Sequence, residues 1–119
     1  MATHNEFGKK GEQIAAGFLE KNGYTILARN YRFQKAELDI IAIKEAVLAI
    51  VEVKSRTNTT VIDPKEAVNP KKIKRITAAA NEYIIANDLD VEARFDIITI
   101  VKQAKGYEIE HIEDAFYHF

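Results

Sequence analysis

Cysteine is absent from the 119-residue sequence. The chain therefore has no disulfide bond, no thiol nucleophile and no zinc site built on cysteine. It also lacks a run of about 20 apolar residues, the length needed to cross a bilayer as a helix. The first dozen residues, MATHNEFGKKGE, lack the apolar core of a signal peptide. We therefore expect a cytoplasmic protein that does not enter a membrane.

Proline and glycine are scarce, with two prolines, Pro64 and Pro70, and five glycines. No internal repeat, Gly/Ser-rich linker or low-complexity tract interrupts the chain. A chain of this length can bury roughly two-thirds of the surface that its unfolded form exposes. We expect residues 1–119 to form a single domain.

Neither sign of charge dominates, because the formal net charge is −1. This balance argues against a uniformly basic nucleic-acid-binding protein. The distribution is uneven, however: residues 52–75 carry seven Lys/Arg against three Asp/Glu, and residues 76–119 carry three against nine. A basic centre could attract a polyanion to one face of the molecule, although a mixed solvated surface explains the same counts.

Apolar periodicity predicts two helices and five strands. An apolar stripe predicts a helix over residues 8–22, ended by Gly23, and Asn69 followed by Pro70 predicts the start of a second helix that runs to about residue 87. The strands are expected at 24–33, 37–44, 46–54, 93–101 and 107–112. The unbroken apolar run AVLAIV is typical of a central strand that is covered on both faces. The sequence thus predicts an α/β fold of order αβββαββ, with a mixed central sheet and helices on both faces.

Four charges interrupt the second and third strands: Glu37, Asp39, Glu52 and Lys54. A tight hairpin centred on residues 45 and 46 would place Asp39 opposite Glu52 and Glu37 opposite Lys54, whereas a one-residue slip would separate the pairs. Opposed carboxylates about 5 Å apart could share one divalent cation, and hard oxygen ligands favour Mg²⁺ or Mn²⁺. Lys54 could then orient water or stabilise charge on a phosphate. The alternative is an exposed Glu37–Lys54 pair beside two solvated carboxylates.

Basic side chains flank these strands in the sequence. They could contact phosphates, and such contacts supply most non-specific affinity for nucleic acid. For each one, a solvated surface position is the competing interpretation. The residues are Arg29, Arg32 and Lys35 before the charged strands, and Arg56, Lys71, Lys72, Lys74 and Arg75 after them.

One further charge interrupts an apolar strand. Asp96 lies within RFDIITI, between Phe95 and Ile97. A buried carboxylate requires a partner, and we expect an arginine or a backbone N–H rather than a metal ion.

An acidic residue on one strand, followed on the next by Glu-x-Lys, resembles the PD-(D/E)XK phosphodiesterase superfamily, here with Leu38 in place of the motif's proline. Over nearly its whole length the chain resembles more closely the YraN-like family, uncharacterised protein family 0102, which is related to archaeal Holliday-junction resolvases. The segments that carry this resemblance are GEQIAAGFLEKNGYTILARNYR, AELDIIA, IVEVKSR, RFDIITI and HIEDAF.

The resemblance implies a restriction-endonuclease-like αβββαβ core and a metal-dependent endonuclease that cleaves DNA, including branched or otherwise structured DNA. It implies that Asp39, Glu52 and Glu12 hold Mg²⁺ or Mn²⁺, that Lys54 is the active-site lysine, and that Glu37 has a supporting role. A resolvase activity would imply a homodimer, since a four-way junction needs two symmetric cuts. The alternative is a non-catalytic nucleic-acid-binding or protein-interaction module on the same fold.

Overall fold

The computed structural model describes residues 4–56 and 69–115, and these form two helices and five strands. The elements are α1 His4–Lys21, β1 Thr25–Phe33, β2 Ala36–Lys44, β3 Val47–Arg56, α2 Pro70–Ala86, β4 Glu92–Gln103 and β5 Gly106–Ile112. The predicted order is confirmed, although α1 begins four residues early and β3 continues through Ser55 and Arg56. Residues 57–68, between β3 and α2, lie outside the described residues. Within the described ranges, no helix is long and apolar enough to cross a membrane.

The described strands form one mixed sheet in the order β1-β2-β3-β4-β5. All neighbours are antiparallel except β3 and β4, which are parallel and therefore need a crossover connection. That crossover contains α2. The sheet and the αβββαβ order are those of a restriction-endonuclease-like core, extended by β5.

The two helices pack on opposite faces of the sheet, as the sequence predicts. On one face, Ala15, Ala16 and Leu19 of α1 pack against strand residues that include Ile40 and Val51. On the other face, a second cluster joins α2 to the sheet through Ile76, Ala79, Ala80, Leu38, Ile41 and Ile50. Since the central strands are covered on both sides, charged side chains can reach solvent mainly at the strand ends.

Residues at the helix ends fix how each helix meets the sheet. Gly23 follows α1 with φ +90°, a conformation that glycine adopts without steric cost. At the start of α2, the Asn69 side chain accepts a hydrogen bond of 2.9 Å from the backbone N–H of Lys72. Pro70 occupies the first turn, where its missing N–H leaves no helical hydrogen bond unmade. The predicted Asn69–Pro70 helix start is confirmed.

Strand β2 breaks its alternation of faces near Asp39. Leu38 belongs to the cluster beneath α2, whereas Ile40 belongs to the cluster beneath α1. Two residues that are two apart on a regular strand share a face, so the strand is irregular between them. Asn30 on β1, which the register places beside Asp39, adopts φ 54°, the left-handed region that asparagine tolerates. Both strands are thus distorted at the level of the acidic residue.

Candidate metal and nucleic-acid site

Charged side chains from three elements line one cleft near the carboxyl end of β3. Glu12 of α1, Asp39 of β2, and Glu52 and Lys54 of β3 surround a cavity of about 390 Å³. We call it the carboxylate cleft, and its other lining residues are Gly8, Val53, Ser55 and Arg56. All four side chains predicted as catalytic therefore share one cavity.

Asp39 enters the cleft where β2 and β3 separate. The predicted hairpin register is confirmed, but the pairing ends at Ile40–Val51, one step before Asp39 and Glu52. Beyond that point, the backbone N–H of Val53 donates a hydrogen bond of 2.9 Å to Oδ2 of Asp39. A strand N–H points toward the neighbouring strand in the plane of the sheet. The Asp39 carboxylate thus lies between the two strands rather than above or below them.

The position of Asp39 raises its pKa from 3.8 to about 7. Burial is the largest cause, and the negative charges of Glu52, Glu12 and Glu37 add to it. The hydrogen bond from the Val53 N–H acts in the opposite direction, because it stabilises the ionised form. At neutral pH the cleft therefore holds a carboxylate whose negative charge is poorly compensated.

Glu52 binds two lysines through the same oxygen atom. Its Oε1 lies 2.8 Å from Nζ of Lys72 on α2 and 3.9 Å from Nζ of Lys54. Val51 belongs to the cluster beneath α1, so strand alternation turns Glu52 toward α2 and explains the contact with Lys72. The Glu52 side chain is 11% exposed and that of Lys72 is 36% exposed. A lysine of α2 thus forms an ion pair with a mostly buried carboxylate of β3.

Glu12 reaches the cleft because α1 approaches β3 closely. Its Oε1 lies 3.8 Å from Nη2 of Arg29 on β1. The preceding residue, Gly11, is buried, and a Cβ atom built there would overlap Oγ of Ser55 and come within 3.2 Å of Ser55 Cβ. Glycine allows this approach without displacing Ser55, and the approach brings Glu12 to the same cavity as Asp39.

Substitution of Gly11 by alanine should destabilise the fold by up to about 2 kcal/mol. The added methyl group overpacks the contact with Ser55 at a cost of about 1–3 kcal/mol, of which the higher helix propensity of alanine offsets about 1 kcal/mol. Gly17 on the same helix is a matched control, since a Cβ there meets nothing within 4 Å. We expect Gly17→Ala to be neutral or stabilising. Urea unfolding of both variants measures the difference, and equal stabilities would contradict the close-approach explanation.

Glu37 lies outside the carboxylate cleft. The hairpin register places it opposite Lys54, but it forms an ion pair of 3.0 Å with Arg32, its partner on β1. The alternative interpretation, an exposed Glu37–Lys54 ion pair, is therefore wrong, because β2 no longer pairs with β3 at this level. Glu37 still contributes to the raised pKa of Asp39. Its supporting role stays a prediction.

A second depression lies between the β1–β2 turn and α2. Two cavities of about 520 and 290 Å³ adjoin there and share Lys35, Ala36, Lys71 and Arg75. We call them together the α2 groove. Their other lining residues are Phe33, Gln34, Glu37, Asn69, Lys72, Lys74, Ile76 and Ala78. The groove is strongly basic, and its acidic lining residue, Glu37, is already paired with Arg32.

The eight basic side chains named above as candidates for phosphate contact divide into three groups. Five of them line the α2 groove: Lys35, Lys71, Lys72, Lys74 and Arg75. Arg56 lines the carboxylate cleft. The other two form ion pairs with glutamates, Arg29 with Glu12 and Arg32 with Glu37. The structure thus brings five of the eight together on one surface.

The donor atoms of the cleft suit a hard divalent cation. Within residues 4–56 and 69–115, no three acidic or histidine side chains already form an arrangement able to hold a metal ion. Asp39 and Glu52 nevertheless present oxygen ligands to one cavity, where Asp39 is destabilised in its ionised form. Mg²⁺ commonly takes only one or two carboxylates and completes its shell with water and substrate phosphate. By the chemistry of their oxygen atoms, Asp39 and Glu52 could hold Mg²⁺ or Mn²⁺ with Glu12 beside them, and this metal site stays a prediction.

Residues 11–100 match Uncharacterised protein family UPF0102. The UPF0102 protein of Flavobacterium psychrophilum is 56% identical over the full length of both chains, and that of Christiangramia forsetii is 50% identical, also over both full lengths. The UPF0102 protein of Parabacteroides distasonis is 47% identical over 98% of this chain and 97% of the relative. The chain belongs to the UPF0102 family.

The UPF0102 match includes the whole set of predicted catalytic residues. Glu12, Asp39, Glu52 and Lys54 all lie between residues 11 and 100, as does α2. Strand β5 lies beyond the matched segment. The family predicted from the quoted segments is therefore confirmed, and its matched part contains the groove and every lining residue of the cleft except Gly8.

Two contacts of Asp39 and Glu52 in this UPF0102 site were not predicted from the sequence. They are the hydrogen bond from the Val53 N–H to Asp39 and the ion pair between Lys72 and Glu52. The first depends on where β2 and β3 separate, which the apolar alternation of the two strands does not show. The second joins residues 20 positions apart through the packing of α2. No pattern within either segment indicates that contact.

Proposed function

We propose that this UPF0102 protein is a metal-dependent endonuclease that hydrolyses DNA phosphodiester bonds. The observation that supports this most directly is the convergence of Glu12, Asp39, Glu52 and Lys54, from three separate elements, on one cavity. The raised pKa of Asp39 adds chemical support, because a carboxylate that resists ionisation is stabilised by a bound cation. The cysteine-free sequence is in keeping with a cytoplasmic site of action.

Each side chain of the cleft has a role in this proposal. Asp39 and Glu52 would hold Mg²⁺ or Mn²⁺, and such an ion supplies Lewis-acid activation of water and phosphate. Lys54, whose Nζ lies 3.9 Å from Glu52, can stabilise the negative charge that builds up on the phosphate during attack. Glu12 lines the cleft from the α1 side, where it can orient a water molecule or join the ion. Arg56 lies at the same cavity and can bind a neighbouring phosphate.

The α2 groove would hold the DNA backbone. Its cations Lys35, Lys71, Lys74 and Arg75 supply the phosphate contacts on which non-specific affinity depends, and this affinity should fall steeply with added salt. Phosphates can be bound both in the basic groove and at Arg56 of the cleft. Two such places can bind more than one DNA segment, which suits branched or otherwise structured DNA. We also propose that the form that cuts a four-way junction is a two-fold dimer, since symmetric incisions need two sites.

A non-catalytic nucleic-acid-binding module is the second candidate. The observation that favours it is that Glu52 and Glu12 already have cationic partners, Lys72 and Arg29. Carboxylates neutralised in this way can serve as a structural polar cluster. In that case the α2 groove would bind DNA, and the cleft would not cut it.

The first test is cleavage of end-labelled single-stranded, duplex and four-way-junction DNA with Mg²⁺ or Mn²⁺. We expect cation-dependent cutting by the wild type and a loss of about 100-fold or more in Glu52→Gln and in Lys54→Met. Glutamine keeps the length of residue 52, and methionine keeps most of the volume of Lys54, so each change removes charge with little effect on packing.

Glu92→Gln is the matched control for these variants. Glu92 is exposed at the start of β4 and pairs with Val47, at the opposite end of β3 from the cleft, so its variant should cut as the wild type does. Loss of cutting in the control as well would indicate damage that is not specific to the site. If the wild type binds the junction with any cation but never cuts it, the non-catalytic candidate replaces the nuclease.

A further inference from the structure

Lys72 connects the α2 groove to the carboxylate cleft. It lines the groove together with Lys35, Lys71 and Arg75. Its Nζ nevertheless extends to Oε1 of Glu52, at 2.8 Å, in the cleft. Among the described residues, this side chain links the two surfaces through a direct ion pair.

The ammonium group of Lys72 contacts an oxygen atom of Glu52 that could also bind the proposed metal ion. Glu52 presents Oε1 to both Lys72 and Lys54, and the contact with Lys72 is the shorter of the two, at 2.8 Å against 3.9 Å. A divalent cation bound to that oxygen would stand close to the ammonium group, and the two positive charges would repel each other. An ion bound to that oxygen would therefore favour a side-chain conformer in which the ammonium of Lys72 lies farther away.

Lys72 is the partner that can move. Its backbone N–H is fixed by the Asn69 cap at the start of α2, so movement is confined to the side chain. That side chain is 36% exposed, whereas the Glu52 side chain is 11% exposed and belongs to a strand paired on its β4 side. A lysine has four rotatable side-chain bonds with which to withdraw its ammonium group toward the groove. A phosphate in the groove would offer that ammonium an alternative anion.

We propose that Lys72 is a placeholder cation, which neutralises Glu52 until a DNA phosphate in the α2 groove draws its ammonium away and opens Glu52 to Mg²⁺ or Mn²⁺. This inference rests on the proposed function. It means that the nuclease holds its metal ion tightly only when substrate is present. By thermodynamic linkage, the metal ion must then raise the affinity for DNA by the same factor by which DNA raises the affinity for the ion.

The central test is Mn²⁺ binding without DNA, followed by the electron paramagnetic resonance signal of free Mn²⁺. We expect Lys72→Met to bind Mn²⁺ about tenfold more tightly than the wild type, because the competing ammonium is gone. Lys71→Met is the matched control, because it removes an equal charge from the preceding residue. Lys71 lines the groove but not the cleft. This variant should therefore bind Mn²⁺ with an affinity within about twofold of the wild type. Lys72→Arg keeps a cation at residue 72 and should bind the ion as weakly as the wild type.

Equal Mn²⁺ affinities in Lys72→Met and the wild type would overturn the placeholder role. An equal gain in Lys71→Met would also overturn it, because the effect would then be one of general charge. Thermal unfolding of each variant confirms that the fold is kept. If the wild type neither binds nor cuts DNA, the proposed function fails, yet the Mn²⁺ titrations still decide the role of Lys72 because they contain no DNA.

A second titration tests release by the substrate. It adds a short duplex oligonucleotide at saturation, with Mn²⁺ bound by the oligonucleotide alone subtracted. The wild type should gain Mn²⁺ affinity when DNA is bound, and Lys72→Met should gain little more. A wild-type affinity that DNA leaves unchanged would overturn the release of Lys72.

Discussion

Asp39→Asn should raise the thermal midpoint of the metal-free protein by roughly 5 °C at pH 8, and it should abolish cation-dependent cutting. The two effects have one cause. In the folded protein, burial and the charges of Glu52, Glu12 and Glu37 disfavour the ionised carboxylate and raise its pKa to about 7. In the unfolded chain the same group ionises near 3.8. The charge that would bind a cation is therefore a source of instability when no cation is bound.

The pH dependence of this effect follows from the direction of the shift. Between pH 4 and pH 7 the folded state keeps a proton on Asp39 that the unfolded state has lost, so the free energy of unfolding decreases as pH rises. The full penalty is present above pH 7, and none remains below about pH 4. A pKa raised by about three units would lower the free energy of unfolding by at most about 4 kcal/mol. We expect a loss of about 1–2 kcal/mol, because the Asp39 side chain opens onto a cleft that solvent can enter. Asparagine removes this penalty, and its Oδ1 can still accept the hydrogen bond from the Val53 N–H.

Calorimetry in EDTA at pH 4, 6 and 8 measures the effect. The difference between Asp39→Asn and the wild type should increase across this series. Glu45→Gln is a suitable control, because it removes a carboxylate from the exposed turn of the same hairpin and should change the midpoint little at any pH. A midpoint for Asp39→Asn that is no higher at pH 8 than that of the wild type would show that residue 39 carries no such penalty. Added Mn²⁺ should stabilise the wild type more than the variant.

The register of the central hairpin could be predicted because it depends on local features. A short turn at Glu45 and Ala46 leaves few ways to pair the apolar runs on either side, and the observed pairs follow that centre. The hairpin register does not predict the geometry one residue beyond its last pair, Ile40–Val51. Nothing in the alternation of ELDIIAIK shows that Asp39 leaves the ladder and accepts a hydrogen bond from the Val53 N–H. The residues of the cleft could thus be named from the sequence, but their arrangement could not.

The sequence also did not show which residues far apart in the chain form ion pairs with the carboxylates of the cleft. Lys72 and Arg75 could be grouped as cations at the start of a helix, and a basic surface there was a reasonable expectation. Which of them turns inward to Glu52 depends on how α2 packs on the sheet, through Ile76, Ala79 and Ala80. For Asp96 the burial was predictable from its apolar neighbours, and the expected arginine and backbone N–H partners are confirmed.

Asp96 of β4 is fully buried and forms hydrogen bonds that connect β4 with β5 and the residues after β5. It accepts hydrogen bonds from Arg94, at 2.9 Å and 2.8 Å, and from the backbone N–H of Asp114, at 3.1 Å. Nε2 of His111 lies 2.8 Å from its Oδ2. Although burial alone would raise the pKa of Asp96, the hydrogen bonds from His111, Arg94 and the Asp114 N–H hold it below its usual range. All its acceptor capacity serves the fold, so Asp96 is not a further ligand for the cleft.

Asp96→Ala should therefore lower the free energy of unfolding by about 3–5 kcal/mol, because it leaves Arg94 and His111 without their buried acceptor. Glu113→Ala is the matched control: Glu113 pairs with the same arginine at 3.5 Å but is 60% exposed, and its loss should cost no more than about 0.5 kcal/mol. Urea unfolding at pH 7 measures both changes. Since the lowered pKa of Asp96 stabilises the fold above pH 4 and this contribution is lost as pH falls further, the difference between wild type and Asp96→Ala should shrink in acid. Equal losses of unfolding free energy in the two variants would mean that the Asp96 hydrogen bonds stabilise the fold no more than a surface ion pair does. The buried network would then not be what stabilises the packing of β5 on β4.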